Sequence, residues 1–127
     1  MVLNNDSSKP IYIQIAEWLE TEIINGNINA NEKMYSQYQL ADLFNINPAT
    51  AAKGINILAQ HDVLYKKRGL GMFVQEQAKD QILLRRKNEN LKQMIHDFLQ
   101  EADYLNIGDQ ELMELIEKVK KERWENS

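Results

Sequence analysis

Three consecutive cations, Lys66, Lys67 and Arg68, are the residues of this sequence best suited to binding an anion. Gly69 and Gly71 follow them, and β-prone residues flank the segment on both sides, which predicts a hairpin with a basic tip. A run of charges is usually no more than a solvated face. At a hairpin tip, however, glycine lets the backbone approach a groove, and arginine gains from the negative potential of a narrow minor groove. The pattern therefore favours contact with a nucleic acid.

A second set of polar side chains lies on one face of a predicted helix. Asn47 can accept a hydrogen bond as its N-cap, and Pro48 fits the first helical position, where no donor is needed. Residues spaced three and four apart form a predicted buried stripe: Ala51, Gly54, Ile55 and Leu58. The outer face carries short or polar side chains: Ala49, Thr50, Ala52, Lys53 and Asn56. Such a face can approach a DNA groove closely.

Three side chains on the outer face of this helix could contact DNA. Thr50 could donate to a phosphate at the helix N-terminus, where free N–H groups favour anions. Lys53 could reach guanine or a phosphate, and Asn56 could pair with adenine. Tyr38, near the start of the preceding helix, could bind a phosphate. A solvated polar side chain for Asn56 and a partly packed one for Tyr38 are equally open interpretations.

The composition is that of an ordinary globular protein, with 127 residues, 43% of them hydrophobic and 27% charged. The absence of cysteine excludes a disulfide framework and a thiolate metal site. The sequence has no signal-like segment and no apolar run of roughly 18–20 residues, the length of a spanning helix. We therefore expect a cytoplasmic protein with no membrane partner.

The net charge of −4 argues at first against a nucleic-acid partner. The distribution of charge changes that conclusion. Residues 9–74 carry six basic and six acidic side chains, whereas residues 75–127 carry nine basic and twelve acidic ones. The acidic excess thus lies mainly in the second part of the chain, and we expect the two parts to have different functions.

The local patterns predict a winged helix. Apolar periodicity predicts a first helix from residue 11 that Gly26 ends, followed by a short strand at residues 33–34. Ser36 is the predicted N-cap of a second helix that ends at Asn45, and almost no linker separates it from the helix capped by Asn47. Two helices joined so tightly cross steeply, as in a helix-turn-helix. With the basic hairpin, the predicted fold is mainly α with one small β-hairpin.

In this order and spacing the residues resemble the N-terminal domain of GntR-family bacterial transcription regulators. The resemblance spans residues 10–74 and is carried by four segments: Pro10–Ile15, Ser36 with Leu40–Ala41, Asn47–Thr50 and Arg68–Val74. The Asn-Pro-x-Thr start and the short tail resemble the YtrA subfamily, whose tails are two helices used for dimerisation. The resemblance implies a homodimer that binds a palindromic double-stranded DNA operator, often as a repressor of a transporter operon.

The sequence also departs from the family pattern. Many relatives carry arginine where this chain has Tyr38, Pro48 and Ala52, so the usual arginine-to-guanine contacts cannot be carried over. Apart from the basic wing residue, the matching positions are Ser36, Thr50 and Gly69. The DNA contacts expected from the residues and the resemblance together are Ser36, Tyr38, Asn47, Ala49, Thr50, Lys53, Asn56, Lys67, Arg68 and Gly69.

Apolar residues of the tail predict two helices with a shared seam. The first helix starts near Lys79 and shows heptad spacing at Leu84, Leu91, Ile95, Phe98, Ala102 and Leu105. The second, with Asp109 as the expected N-cap, carries Leu112, Leu115, Ile116 and Val119. Two such helices cannot bury these wide faces on each other alone, so a monomeric hairpin would leave much of the seam exposed. We therefore predict a DNA-binding domain at residues 1–76 and a dimerisation region at residues 77–127.

His61 and His96 are the only histidines and form no motif with the carboxylates, so we expect neither an enzyme nor a metal site or cofactor. A winged helix that binds an acidic protein through its basic tip is the alternative to a DNA-binding regulator. The tail is too small to enclose a large pocket. If a small-molecule effector exists, we expect it at the dimer or interdomain junction.

Overall fold

The computed structural model describes residues 3–4 and 8–126, so residues 1–2 and 127 at the ends of the predicted domains lie outside it. Helices and strands follow the order predicted for a winged helix with a helical tail. They are α1 (Ile11–Ile24), α2 (Gln37–Phe44), α3 (Pro48–Gln60), β1 (Leu64–Lys67), β2 (Gly71–Val74), α4 (Ala78–Arg85), a π-helical segment (Arg86–Leu91), α5 (Lys92–Tyr104) and α6 (Asp109–Glu125). The predicted fold class is confirmed.

Side-chain caps determine the short connection between α2 and α3. Ser36 Oγ accepts a hydrogen bond from the Gln39 N–H at 3.1 Å, and Gln39 Oε1 accepts one from the Ser36 N–H at 2.8 Å. The residue after α2, Asn45, is left-handed with φ 54°, as predicted. Asn47 Oδ1 then accepts the Ala49 N–H at 2.8 Å and starts α3. The helix-turn-helix is thus built by local hydrogen bonds.

Gly54 lets α3 lie close against α1. A Cβ atom at Gly54 would lie 2.8 Å from Ile15 Cγ2 and 3.0 Å from the Tyr12 carbonyl oxygen. A side chain there would force the two helices apart. The whole predicted stripe of α3 is buried: Ala51, Gly54, Ile55 and Leu58.

The wing is a hairpin with a third segment on its edge. β1 and β2 pair antiparallel, with Tyr65 opposite Phe73. On the other edge of β2, Lys33 forms an isolated bridge with Phe73, and the Met34 N–H donates to the Met72 carbonyl at 2.8 Å. The strand predicted at residues 33–34 is present as this bridge, which ties the wing to the segment that leads into α2.

Helix α4 belongs to the same compact unit as the winged helix. Ala78 and Ile82 are buried in its core, and Arg85 forms an ion pair with Glu20, a buried residue of α1. The chain therefore divides into compact units between residues 85 and 86, rather than after residue 76 as the sequence suggested. The fully buried large side chains of this first unit are Ile15, Leu19, Leu40, Leu58, Val63, Val74 and Ile82.

The second unit, residues 86–127, buries little of its apolar surface in the single chain. Ala102 and Leu112 are the only buried positions among its described residues. Helix α6 makes little contact with α5. The large apolar side chains left exposed in this unit are Leu91, Met94, Ile95, Phe98, Leu99, Tyr104, Leu105, Met113, Leu115, Val119 and Trp124.

Two expectations about the tail helices are corrected by the structure. The N-cap of α6 is Gly108, and Asp109 is the first helical residue. Between Leu84 and Leu91 the chain passes through the π-helical segment, whose hydrogen bonds span five residues instead of four. More residues then occupy each turn, so the seven-residue step between these leucines is not a heptad step.

Nowhere in residues 3–4 and 8–126 does a helix combine the length and the apolar character that crossing a membrane requires.

Candidate nucleic-acid interface

The outer face of α3 presents the polar side chains predicted from the sequence. Lys53 and Asn56 are exposed, and Thr50 is half-buried. Lys53 Nζ lies 5.8 Å from the centroid of the Tyr12 ring of α1, whereas Asn56 lines a cavity between α3 and the wing. The two side chains are three residues apart and so are neighbours on the outer face of α3, with Lys53 beside α1 and Asn56 beside the wing.

The two N-cap side chains each keep a donor for a second partner. Ser36 Oγ and Asn47 Oδ1 act as acceptors for backbone N–H groups. The hydroxyl hydrogen of Ser36 and the amide hydrogens of Asn47 can therefore donate to a phosphate without breaking the caps. Ala49 is exposed in the first turn of α3 and offers a methyl group.

Tyr38 is presented to solvent rather than packed. Its side chain is 67% exposed in the first turn of α2, and it lines the same cavity as Asn56. The structure thus favours the phenol of Tyr38 as a donor to a neighbouring molecule over the partly packed alternative.

The two lysines of β1 lie on opposite faces of the wing. Lys67 Nζ lies 4.3 Å from the centroid of the Phe73 ring and 5.9 Å from that of Tyr65, two rings that stack 6.0 Å apart. Side chains alternate along a strand, so Lys66 shares the face of buried Leu64, and both line the cavity beside α3. The cation–π contacts hold Lys67 on the far face, while Lys66 faces α3.

The aromatic face of the wing is also tied to its base. The Tyr65 hydroxyl donates to Asn31 Oδ1 at 2.9 Å, and Asn31 Nδ2 donates to Glu76 Oε2 at 2.7 Å. This chain of hydrogen bonds joins the hairpin to the turn before it and to the segment after it. The position of the wing beside α3 is therefore braced on the face opposite the cavity.

The tip of the wing is open to solvent. Arg68 and Gly69 are exposed, and Gly69 has φ +77°, a left-handed conformation that favours glycine. A Cβ atom at Gly69 would meet no atom within 4 Å. Glycine at this position is thus explained by the backbone of the turn, and the space around it stays open for another molecule.

Lys66 lies near the face of α3, although the sequence does not distinguish it from Lys67 within the basic run. The alternation along β1 could have identified Lys66, since it lies two residues after the buried Leu64. Lys33 had no local signal. Its side chain crosses Gly71, with Cε 3.2 Å from where a Cβ of that glycine would lie, and this follows only from the pairing with β2.

The predicted dimer residues separate into exposed and buried ones. The exposed side chains are Leu84, Leu91, Ile95, Phe98, Leu105, Leu115 and Val119. Ile116 is half-buried. Ala102 and Leu112 are already buried in the single chain, and the Ala102 carbonyl accepts the Ile107 N–H at 3.0 Å in the turn that ends α5. Neither of these two side chains is free to meet a second chain.

Both histidines lie at exposed positions of the helices. His61 is exposed at the end of α3, and His96 is exposed on α5. Within the described part of the chain, no group of three or more His, Cys, Asp or Glu side chains could hold a metal ion.

Comparison with known proteins identifies the family to which the winged helix belongs. Residues 11–74, from the start of α1 to the end of β2, match the bacterial regulatory proteins of the gntR family. The chain belongs to the GntR family. The HTH-type transcriptional repressor NagR of Bacillus subtilis is 34% identical over 83 residues, which are 65% of this chain. The chain spans only about a third of the length of NagR, 34%.

Two other GntR proteins match over both parts of the chain. The HTH-type transcriptional repressor YtrA of Bacillus subtilis is 27% identical over 89% of this chain and 86% of its own length. A solved GntR family transcriptional regulator from Listeria monocytogenes is 30% identical, with a TM-score of 0.71 over 89% of this chain and 97% of its own. The chain is therefore a YtrA-like GntR regulator.

Proposed function

We propose that this GntR regulator is a homodimeric repressor that binds a palindromic operator through α3 and the wing. The observation that carries the proposal is the convergence of α3, the start of α2 and the wing on one surface, which is rich in donors and cations. The relatives NagR and YtrA are named transcriptional repressors, which supports repression. A transporter operon as the target is inferred from the family resemblance alone.

The proposed phosphate contacts come from several elements. Ser36, Asn47 and Thr50 lie at the N-terminal ends of α2 and α3, where helix dipoles favour anions. Lys66 faces α3 from the wing, and Arg68 extends from its tip. Lys67 contributes less, because its ammonium is held over the Tyr65 and Phe73 rings on the far face.

Few side chains of α3 can read bases. Lys53 and Asn56 have the donors and acceptors for guanine and adenine, respectively, in the major groove, and Ala49 can contact a thymine methyl. Tyr38 and Gly69 would add contacts to the backbone and to a narrow minor groove. With so few base contacts per protomer, we propose that the spacing of two half-sites supplies much of the specificity.

The tail supports a dimer. Its exposed apolar side chains form a surface larger than isolated hydrophobic residues normally leave uncovered in a monomer. We propose that a second copy of the chain covers Leu91, Ile95, Phe98 and Leu105 of one protomer together with Leu115, Ile116 and Val119 of the other. Two α3 helices about 34 Å apart, one turn of DNA, would then read a palindrome.

Selection of bound fragments from a random pool of double-stranded DNA tests the proposal. The expected product is an inverted repeat whose half-sites are about one helical turn, 10 bp, apart. An enriched single half-site would contradict the dimer. No enrichment at all would contradict sequence-specific DNA binding and favour an acidic protein as the partner of the wing.

Substitutions at the wing test the proposed phosphate contacts. Arg68→Gln and Lys66→Gln are each expected to lower the slope of log affinity against log salt by about one unit. The matched substitution Lys67→Gln, on the same strand but the opposite face, should change the slope less than Lys66→Gln. Equal effects of the two lysine changes would show that the aromatic face also lies against DNA. Unchanged binding by Lys53→Ala and Gly69→Glu would argue against the whole surface.

A further inference from the structure

A cavity of about 620 Å³ lies between α3, the wing and the segment that leads into α2. Its volume is within the range of about 300–1,000 Å³ usual for small-molecule sites. Every residue that lines it belongs to the first compact unit, so the cavity exists in the winged helix itself. The sequence had suggested a junction as the place for an effector.

The floor of the cavity is apolar. Met34, Ile55 and Leu64 are core residues with 2%, 7% and 3% of their surface exposed, and they form its base. The methyl groups of Ala52 and Ala59 line the α3 side. A DNA phosphate or base edge would gain little from such a floor. The apolar body of a small molecule would gain free energy there, because binding removes its surface from water.

The rim of the cavity is cationic. Lys66 of β1 lies at the rim beside α3, and no carboxylate is among the described residues that line the cavity. The side chain of Lys33, which bridges Phe73 and crosses Gly71, lies on the opposite face of the wing together with Lys67. A molecule with an apolar body and one anionic group would therefore meet a matching surface at both ends.

We propose that this cavity binds a small organic anion with an apolar body, and that the bound anion weakens DNA binding. The anion and a DNA phosphate would compete for Lys66. Asn56 and Tyr38 also line the cavity, so a bound molecule stands beside two of the proposed DNA contacts. The regulatory half of this proposal rests on the proposed DNA-binding function, whereas ligand binding does not.

Octanoate is the probe for the binding test. It is titrated into the uniformly labelled full chain, and binding is monitored by the amide NMR spectrum. The expected result is saturable shifts at Met34, Ala52, Ala59 and Met72. Octylammonium has the same apolar chain with the opposite charge and should bind at least about ten-fold more weakly. Shifts confined to α5 and α6, or equal binding of the two probes, would overturn the proposal.

Variants locate the anionic group. Lys66→Gln should weaken octanoate about five- to ten-fold, since it removes one charge-assisted contact. Lys67→Gln, on the opposite face of the same strand, should leave octanoate affinity unchanged. Ala59→Leu should block the cavity while the amide spectrum elsewhere stays that of the folded chain. Full octanoate affinity in Ala59→Leu would overturn the location.

The regulatory half is tested by titrating the protein into selected DNA with and without octanoate. Saturating octanoate should weaken DNA binding about ten-fold or more, as expected when ligand and DNA exclude each other. If octanoate binds but DNA affinity does not change, the proposed regulation is wrong and the proposed binding site still holds. Octanoate binding by a protein that selects no DNA would overturn the DNA-binding function alone.

Discussion

The winged helix and the tail differ in how each covers its apolar residues. In the first unit, side chains from α1, α2, α3, the wing and α4 close around one core, with Ile15, Leu19 and Ile82 fully buried. In the second unit, α5 and α6 leave most of their large apolar side chains exposed. The first unit thus covers its apolar residues within one chain, whereas the second leaves an apolar surface that we propose a second copy covers.

The comparison also separates two kinds of sequence pattern. An apolar stripe predicts that a face will be covered, but it does not say whether the cover comes from the same chain. The stripe of α3 is covered by α1 and the rest of the first core, while the stripe of α5 is not covered by α6. The predictions below test this difference, beginning with the largest expected effect.

Phe98→Glu should break the proposed dimer. The substitution is present twice in a symmetric dimer and puts a carboxylate in the apolar seam, so we expect association to weaken by about 4 kcal/mol or more. Sedimentation velocity at micromolar protein measures the mass. Gln100→Glu adds the same charge at another exposed position of α5 and should stay dimeric. A wild-type protein that sediments as a monomer would refute the proposed role of the tail.

Ile82→Ala should destabilise the first unit, although it lies beyond the predicted domain boundary. Ile82 is fully buried, and truncating a buried isoleucine costs about 2–5 kcal/mol. Urea unfolding followed by circular dichroism measures the loss. Leu83→Ala changes the exposed neighbour on α4 and should stay within about 0.5 kcal/mol. Similar small effects of both would place α4 outside the core.

Gly54→Ala should weaken the packing of α3 on α1. The added methyl would meet Ile15 and the Tyr12 carbonyl, so we expect a loss of about 1–3 kcal/mol despite the better helix propensity of alanine. Thermal unfolding at fixed protein concentration measures it. Lys53→Ala, at the exposed adjacent position, is the control for stability. A stabilised Gly54→Ala protein would mean that the two helices can separate without cost.

Asn47→Ala should have the smallest effect, about 1 kcal/mol, because it removes one capping hydrogen bond at the start of α3. Chemical unfolding can resolve a change of this size. Asn47→Asp keeps an acceptor and should retain most of the stability. If both substitutions destabilise equally, the amide group of Asn47 has a role beyond capping.

Local features were predictable where neighbours in the chain decide them. Ser36, Asn45 and Asn47 act on backbone groups at most four residues away, and the structure has each in its predicted role. The wing was predictable for the same reason, since two β-prone segments flank a glycine-containing tip. The N-cap of α6 was misplaced by one residue because Asp109 and Gly108 are both acceptable at a helix start.

Two features could not be predicted from local sequence: the faces on which Lys66 and Lys67 lie, and the packing of α4 in the first compact unit. Lys66 and Lys67 look equivalent in the sequence, but the rings of Tyr65 and Phe73 hold only Lys67. Likewise, the sequence pattern of α4 continues into the tail, but the helix contacts α1 in the first unit. Both results depend on residues distant in the chain.

The sequence by itself determined the helix-turn-helix, the basic hairpin and the family, because caps, periodicity and turn residues act over a few positions. Tertiary structure decided which lysine faces α3, that Lys33 pairs with Phe73 at the edge of the wing, and that Ala102 and Leu112 are buried within one chain. These outcomes depend on which surfaces pack together. Packing is set by the fit of whole elements and is not encoded in the spacing along any one of them.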